Sequence, residues 1–270
     1  MIELNKIYNE DCLEGMKRIP DGSVDMVLCD LPYGTTQLKW DTIIPFDKLW
    51  EQYLRVCKTN AAIVLFSSQP FTTDLINSNR KMFKYEIIWK KTMKSLFFLA
   101  NKRPLVEHEN IIVFYKKQPT YNPIKSFVEE KQRIRYQQAN RSNHYHNNHE
   151  HYYINNGERF PTTVIEFSNW NGALFGNTKR TVKHPTQKPV DLCEYLIKTY
   201  TNEGELVLDN CMGSGTTAVA CINTGRNFIG FELEKNYYDI SQERISNSKP
   251  ECHLSNPTPT QLINQQLSLF

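Results

Sequence analysis

Apolar positions along the chain follow two rhythms, and the switches between them outline the elements. Val24 to Cys29 is a mainly apolar run of strand length that ends in Asp30. Phe46, Leu49, Trp50, Tyr53, Leu54 and Cys57 then recur at intervals that predict a helix over residues 46–58. Ala61 to Phe66 reads as a second buried strand. The order strand, helix, strand predicts a parallel sheet with right-handed crossovers. Tyr85 to Trp89 and Asn110 to Tyr115 are two further strands, and from Gln118 to Phe160 the apolar period is lost. It returns at Val190, Cys193, Leu196, Ile197 and Tyr200, one face of a helix. Residues 204–234 then read as strand, glycine loop, helix and strand.

At 270 residues the chain can bury one good core, so one domain with an elaborated insertion is expected. No apolar run approaches the ~20 residues of a membrane span. Met1 to Asn5 does not begin a signal-peptide pattern, which makes a cytoplasmic location the expectation. Seven cysteines without a C-x-x-C pair read as reduced, mostly buried thiols.

Charge is unevenly spread. Residues 80–183 hold 19 Lys plus Arg against 8 Asp plus Glu, a balance of +11, and the remainder holds 13 against 21, a balance of −8. Aromatic residues interleave the basic half, among them Trp89, Phe97, Phe98, Tyr115 and Tyr136, which is the composition of a nucleic-acid surface. His144, His146, His149 and His151 crowd one short stretch. With no cysteine or fixed carboxylate beside them they read as a polar surface loop, and no metal is expected.

Three short motifs carry chemistry. The first is Leu28-Cys29-Asp30-Leu31-Pro32-Tyr33-Gly34, where a strand delivers a carboxylate, a proline and a tyrosine in succession. A turn alone would explain such residues. A flat, electron-poor group lying on Tyr33 with its edge on Asp30 would explain them better. The second is Asp209 followed by Gly213-Ser214-Gly215-Thr216-Thr217 at the opening of a helix, with Glu232 at the end of the next strand. Glycines admit a ligand close to the backbone, and a carboxylate at that strand end can accept both hydroxyls of a ribose. The spacing also fits a loose dinucleotide fingerprint. Asp209 would repel a pyrophosphate and suits an ammonium near a sulfonium, which favours S-adenosyl-L-methionine. The third motif is His184-Pro185-Thr186-Gln187-Lys188-Pro189.

In chain order, residues 28–34, then 184–189, then 209–217, the three motifs resemble the β class of DNA amino-methyltransferases, in which the catalytic segment precedes the cofactor loop, over most of residues 4–245. The resemblance implies an α/β, Rossmann-like methyltransferase fold with a mainly parallel sheet, helices on both faces and a basic target-recognition insertion. It places Asp30, Leu31, Pro32 and Tyr33 on the family's D-P-P-Y, with Leu31 replacing a proline. Asp209, Gly213 and Gly215 match its cofactor loop and Glu232 its ribose acid. Asp11 matches the residue near the adenine of the cofactor, and Thr186 and Lys188 match the segment at the methionine end. Four spans are then expected: a catalytic part (1–92), the insertion (93–180), a cofactor-binding part (181–246) and a tail (247–270).

The implied activity is methyl transfer to the exocyclic N6 of adenine in duplex DNA after base flipping. Asp30 and the Leu31 carbonyl would accept the amino N–H groups while Tyr33 stacks on the base. N4 of cytosine is the alternative, and the chain has no Pro-Cys dipeptide of the kind that cytosine C5 chemistry uses. His108 reads as a structural polar residue. Lys90, Lys91, Lys94, Arg133 and Arg135 are the expected phosphate contacts. Gln266-Leu267-Ser268-Leu269-Phe270 resembles the peptide by which bacterial proteins bind the replication sliding clamp, which adds the clamp to double-stranded DNA as an expected partner. A homodimer is left open. A nicotinamide oxidoreductase and a non-catalytic DNA- or clamp-binding protein are the rivals from other classes.

Overall fold

The computed structural model describes residues 2–35, 41–128, 134–137, 151–154, 157–169 and 187–248. The first half contains β1 (Lys6–Tyr8), α1 (Cys12–Met16), β2 (Val24–Asp30), α2 (Phe46–Val56), β3 (Cys57–Ser67) and α3 (Phe71–Ser78). β4 (Phe83–Ser95) and β5 (Val106–Phe114) follow, then the short strands β6 (Ser126–Phe127), β7 (Ile134–Gln137), β8 (His151–Ile154), β9 (Glu158–Arg159) and β10 (Val164–Phe167). The last part is α4 (Val190–Tyr200), β11 (Leu206–Asp209), α5 (Thr216–Asn223), β12 (Asn227–Phe231) and α6 (Lys235–Asn247).

One eight-stranded sheet runs in the order β1-β12-β11-β2-β3-β5-β4-β10. Every neighbouring pair is parallel except those of β5, which is antiparallel to β3 and to β4. The sheet is therefore mainly parallel, as the sequence pattern leads one to expect. β5 departs because it returns directly from β4, and a hairpin return forces an antiparallel neighbour. β6 pairs with β9 and β7 with β8 in two small antiparallel ladders.

β2 reads as a continuous apolar run because both of its faces are covered. Met26 and Leu28 pack with Leu192, Leu196 and Ala218 of α4 and α5 on one side. Val27 and Cys29 pack with Leu49, Tyr53 and Phe71 of α2 and α3 on the other. Each fully buried Leu, Val or Phe in these layers contributes about 1.5–3 kcal/mol through removal from water. Six cysteines, Cys12, Cys29, Cys57, Cys193, Cys211 and Cys221, are free thiols among the described residues. No helix among the described residues is long and apolar enough to cross a membrane.

Two boundaries differ from the pattern. α2 stops at Val56 because Cys57 is already extended (φ −77°, ψ 141°) and pairs with Val24. The start of β3 after Cys57, Lys58-Thr59-Asn60, is polar and exposed, so periodicity could not reveal it. In addition, β5 and β10 belong to the main sheet although they fall within residues 93–180. β2 and β11 lie side by side at the centre, with Met26 against Val207 and Val27 against Leu208. The chain leaves β2 for β3 on one side and β11 for β12 on the other, and the crevice at such a switch point is where open α/β sheets bind ligands.

Candidate active site

Asp30 is the last residue of β2, and the turn after it is tied down from below. Buried Asp41 accepts from Gly34 N at 2.8 Å and from Thr35 N at 2.9 Å, one on each carboxylate oxygen. Gly34 has φ +67°, and a Cβ there would meet Ile43 Cγ1 at 2.8 Å, so the turn requires glycine. Leu31 points into the core. The Tyr33 ring stacks on Phe71 with centroids 5.1 Å apart and planes at 30°, and its hydroxyl donates to Asp30 Oδ1 at 2.6 Å. Burial and the neighbouring Asp30 charge push the Tyr33 phenol well above its ordinary pKa, so it stays a donor.

The other oxygen of Asp30 meets a lysine from the opposite end of the chain. Lys188, 9% exposed, donates to Asp30 Oδ2 at 2.6 Å and stands 3.3 Å from Glu109 Oε2. Glu109 sits in β5 and takes Lys91 Nζ on its other oxygen at 2.7 Å. The row Asp30, Lys188, Glu109, Lys91 alternates in sign and sums to zero. Burial opposes the Lys188 ammonium, but Asp30 and Glu109 outweigh it and raise its pKa above the usual lysine value. Burial likewise opposes the Glu109 carboxylate, and Lys188 and Lys91 outweigh it, holding Glu109 below its usual range. Glu109 Oε2 is nevertheless buried without an aligned hydrogen bond. It is an acceptor beside Lys188 with capacity in reserve.

The glycine loop leaves the neighbouring strand at the same edge. Asp209, buried at the end of β11, accepts from Cys211 N at 3.0 Å, and burial pushes its carboxyl up to about 6. Glu232, directly after β12, accepts from Gly213 N at 2.7 Å and from Glu234 N at 2.8 Å, and burial raises its pKa also. Gly213 and Gly215 both have positive φ, +55° and +82°. Their surroundings differ. A Cβ on Gly215 would press on Ser241 of α6 at 3.0 Å, whereas one on Gly213 would meet nothing within 4 Å. Gly215 is thus a packing glycine, and Gly213 borders open space. Arg244 of α6 braces the loop by donating to Ser214 O at 2.7 Å and to Thr216 Oγ1 at 3.1 Å.

These contacts join the three motifs. Lys188 reaches Asp30, and its neighbour Gln187 accepts from Ser214 Oγ at 3.2 Å, tying the third motif to the glycine loop. Asp11 caps α1, accepting from Leu13 N and Glu14 N at 2.9 and 3.1 Å. Its segment lies beside Glu232, because Glu232 N donates to Tyr8 O at 3.0 Å.

Other expected residues lie elsewhere. Lys90 and Lys94 are on the surface, paired with Glu166 and Glu107. Lys91 is turned inward to Glu109 and is 10% exposed, so its ammonium is placed in the site rather than on the surface. His108 is exposed. Thr186, Arg133 and the pentapeptide 266–270 lie outside the described residues, as does the side chain of Arg135. Glu109 is the residue that sequence reasoning passes over. Its signal is an acid at the start of an apolar strand, next to the histidine that drew attention.

The open pocket edge at Gly213, the anionic Asp209 and the ribose-type acceptor Glu232 fit an adenosine-linked cation. Comparison with known proteins agrees with that reading. Residues 24–243 match the family described as DNA methylase, of the N6/N4 type. The chain is 29% identical over 264 residues to the type II methyltransferase M1.MboII of Moraxella bovis, covering 88% of this chain and 95% of that protein. It is 28% identical over 256 residues to the DNA adenine methyltransferase YhdJ of Escherichia coli (strain K12), covering 90% and 83%. The crystal structure of the M1.HpyAVI–SAM complex superposes with a TM-score of 0.57 at 25% identity, covering 88% of this chain and 98% of that one.

Proposed function

The chain belongs to the DNA methylase family, and we propose that within it the protein methylates the exocyclic N6 of adenine in duplex DNA with S-adenosyl-L-methionine as donor. The observation that carries this reading is the side-by-side placement of Asp30 and the glycine loop at the carboxyl ends of β2 and β11. The adenine assignment draws on Asp30 itself and on the likeness to the adenine-specific relative.

When bound, the cofactor supplies an electrophilic methyl group on a sulfonium, which leaves as a neutral thioether. Asp209, Glu232, Gly213 and Asp11 would hold it, with Lys188 and Thr186 at its methionine end. The protein's remaining task is to make a poor nucleophile react. An exocyclic amino nitrogen delocalises its lone pair into the ring. Asp30 and the Leu31 carbonyl would accept its two N–H groups and bias it toward a tetrahedral nitrogen whose lone pair faces the methyl. Each Asp30 oxygen has a second lone pair beyond those used by Tyr33 and Lys188. Tyr33 has one ring face on Phe71, so a flipped base would stack on the other. After the N–C bond forms, one amino proton departs to Asp30 or to water.

DNA would be held by the basic parts of residues 93–180 that lie outside the main sheet, together with Lys90 and Lys94. Residues 266–270 would tether the enzyme to a sliding clamp, which titration of the clamp with full-length and 266–270-deleted protein tests. For the activity, duplex DNA is incubated with isotopically labelled donor and digested to nucleosides for mass spectrometry. Labelled N6-methyladenine supports the reading. Labelled N4-methylcytosine transfers it to the other amino base, and no labelled nucleoside refutes it.

A further inference from the structure

The turn between β4 and β5 holds two phenylalanines in water. Phe98 is 81% exposed and Phe97 62%, in a short 3-10 turn over Phe97–Leu99 that buries none of its residues. The turn is entered through Leu96 in the left-handed region (φ 65°, ψ 36°), a backbone conformation that costs a non-glycine residue about 1 kcal/mol. One exposed apolar side chain needs no explanation. Two adjacent aromatic rings on a backbone that their neighbour disfavours call for a partner that repays the arrangement.

Placement indicates which partner. β4 is parallel to β2, so its carboxyl end lies along the same sheet edge as Asp30. Trp89 pairs with Glu109, whose carboxylate reaches Lys188 on Asp30. Ser95 pairs with Val106, three residues farther out along β5, which is about 10 Å of strand. The connection 96–105 lies beyond that pair and holds Phe97 and Phe98 exposed. Its base is braced. Between Lys90 and Ser95 the strand bulges, and Asn169 pins the bulge by accepting from Met93 N at 2.8 Å and donating to Met93 O at 3.0 Å. Lys94, Lys102 and Arg103 flank the tip and are exposed. Cations around bare aromatic rings match phosphates around bases, not the apolar pocket of another protein.

We propose that Phe97 and Phe98 form a wedge that enters duplex DNA at the step vacated by the target base and keeps the helix open while that base occupies the site at Asp30. The wedge rests on the methyl-transfer reading above. Lifting one base out of a duplex removes its stacking on both neighbours, and the energy needed is least where the base is already unpaired. An aromatic ring in the gap restores stacking worth ~1–3 kcal/mol, enough to change the extrahelical fraction at least about fivefold.

Sequencing plasmid DNA exposed to the wild-type protein locates the methylated base. A short duplex containing that site is then compared with the same duplex carrying an abasic residue opposite the target. The Phe97→Ala/Phe98→Ala double variant is expected to lose about fivefold or more in kcat/KM on the paired duplex and to come within about twofold of wild type on the abasic one. A fluorescent purine analogue at the target position should brighten with wild type on the paired duplex and brighten much less with the variant. The thermal midpoint should be unchanged, and Phe98→Trp should keep the paired-duplex rate. Equal losses on both duplexes, or none on either, overturn the wedge. A wild-type protein that methylates no DNA overturns the methyl-transfer reading, and the wedge falls with it.

Discussion

Lys188 Nζ lies 2.6 Å from Asp30 Oδ2, although 158 residues separate them in the chain. The contact joins the strand-end carboxylate to the segment that also holds the glycine loop through Gln187 and Ser214. It gives Asp30 a fixed orientation, with Tyr33 on one oxygen and Lys188 on the other. Glu109 completes the arrangement by offering Lys188 a second carboxylate at 3.3 Å, so the ammonium can lean away from Asp30 without losing a partner.

Removing Glu109's charge should therefore cost more than one hydrogen bond. Glu109→Gln leaves the buried Lys91 ammonium without its carboxylate and Lys188 with Asp30 alone, and breaking a buried ion network in this way typically costs about 3 kcal/mol. The Lys91→Met/Glu109→Gln double variant restores neutrality and should lose clearly less than the sum of the single losses. Urea unfolding of the four proteins checks this, and additive losses would contradict it. Because Glu109's folded pKa is depressed, its stabilisation is present above the ordinary carboxylate pKa and disappears as pH falls through the depressed value.

Asp209 has the opposite sign. Its carboxyl is pushed up to about 6 by burial, so the folded protein takes up this proton before the unfolded chain does. That contribution to stability is present at low pH and falls as pH rises through about 6. A cationic cofactor needs the ionised form. Calorimetric titration with S-adenosyl-L-methionine should show affinity that is flat above that pH and declines below it, by up to about tenfold per unit. Asp209→Asn should abolish the pH dependence and bind weakly throughout. A wild-type affinity that stays level down to pH 5 would exclude Asp209 as the cation's partner.

The two loop glycines should separate. Gly215→Ala meets both a φ of +82° and Ser241 at 3.0 Å, so it should lower the thermal midpoint. Gly213→Ala has open space and φ +55°, so its folding cost should stay near ~1 kcal/mol. Any larger effect at Gly213 must fall on cofactor affinity. Equal stability losses with unchanged cofactor binding would show that neither glycine faces the ligand.

Salt dependence divides the basic residues. Lys90 and Lys94 sit in exposed, solvent-screened ion pairs that phosphates readily replace. Lys94→Ala should lower the slope of log affinity against log salt by about one. Lys91→Ala should leave that slope alone and reduce stability instead, since its ammonium is committed to Glu109. The reverse pattern would place Lys91 on DNA.

The centre of the fold is legible in the sequence because burial on both faces makes β2, β11, residues 61–66 of β3 and residues 111–114 of β5 mainly apolar runs, and glycine punctuation marks the loop before α5. Asp30 and Asp209 are legible because each ends an apolar strand, and Glu232 because it directly follows one. The antiparallel insertion of β5 is not, since strand direction leaves no mark on apolar pattern. The polar start of β3 is hidden because the exposed Lys58, Thr59 and Asn60 carry no apolar alternation. Glu109 is hidden because its importance comes from Lys188 and Lys91, which are distant in sequence and meet it only when the sheet forms. Lys91 misleads for the same reason, as charge counting cannot tell an inward lysine from an outward one.

Asp30→Ala, assayed in a single turnover with excess enzyme, is the most direct measurement of all. Cofactor affinity should remain within a few-fold of wild type while methyl transfer to DNA falls by about a hundred- to a thousandfold, the scale of losing a group that acts on the reacting atom. Methyl transfer at the wild-type rate by Asp30→Ala would contradict the assignment of that carboxylate to the amino group.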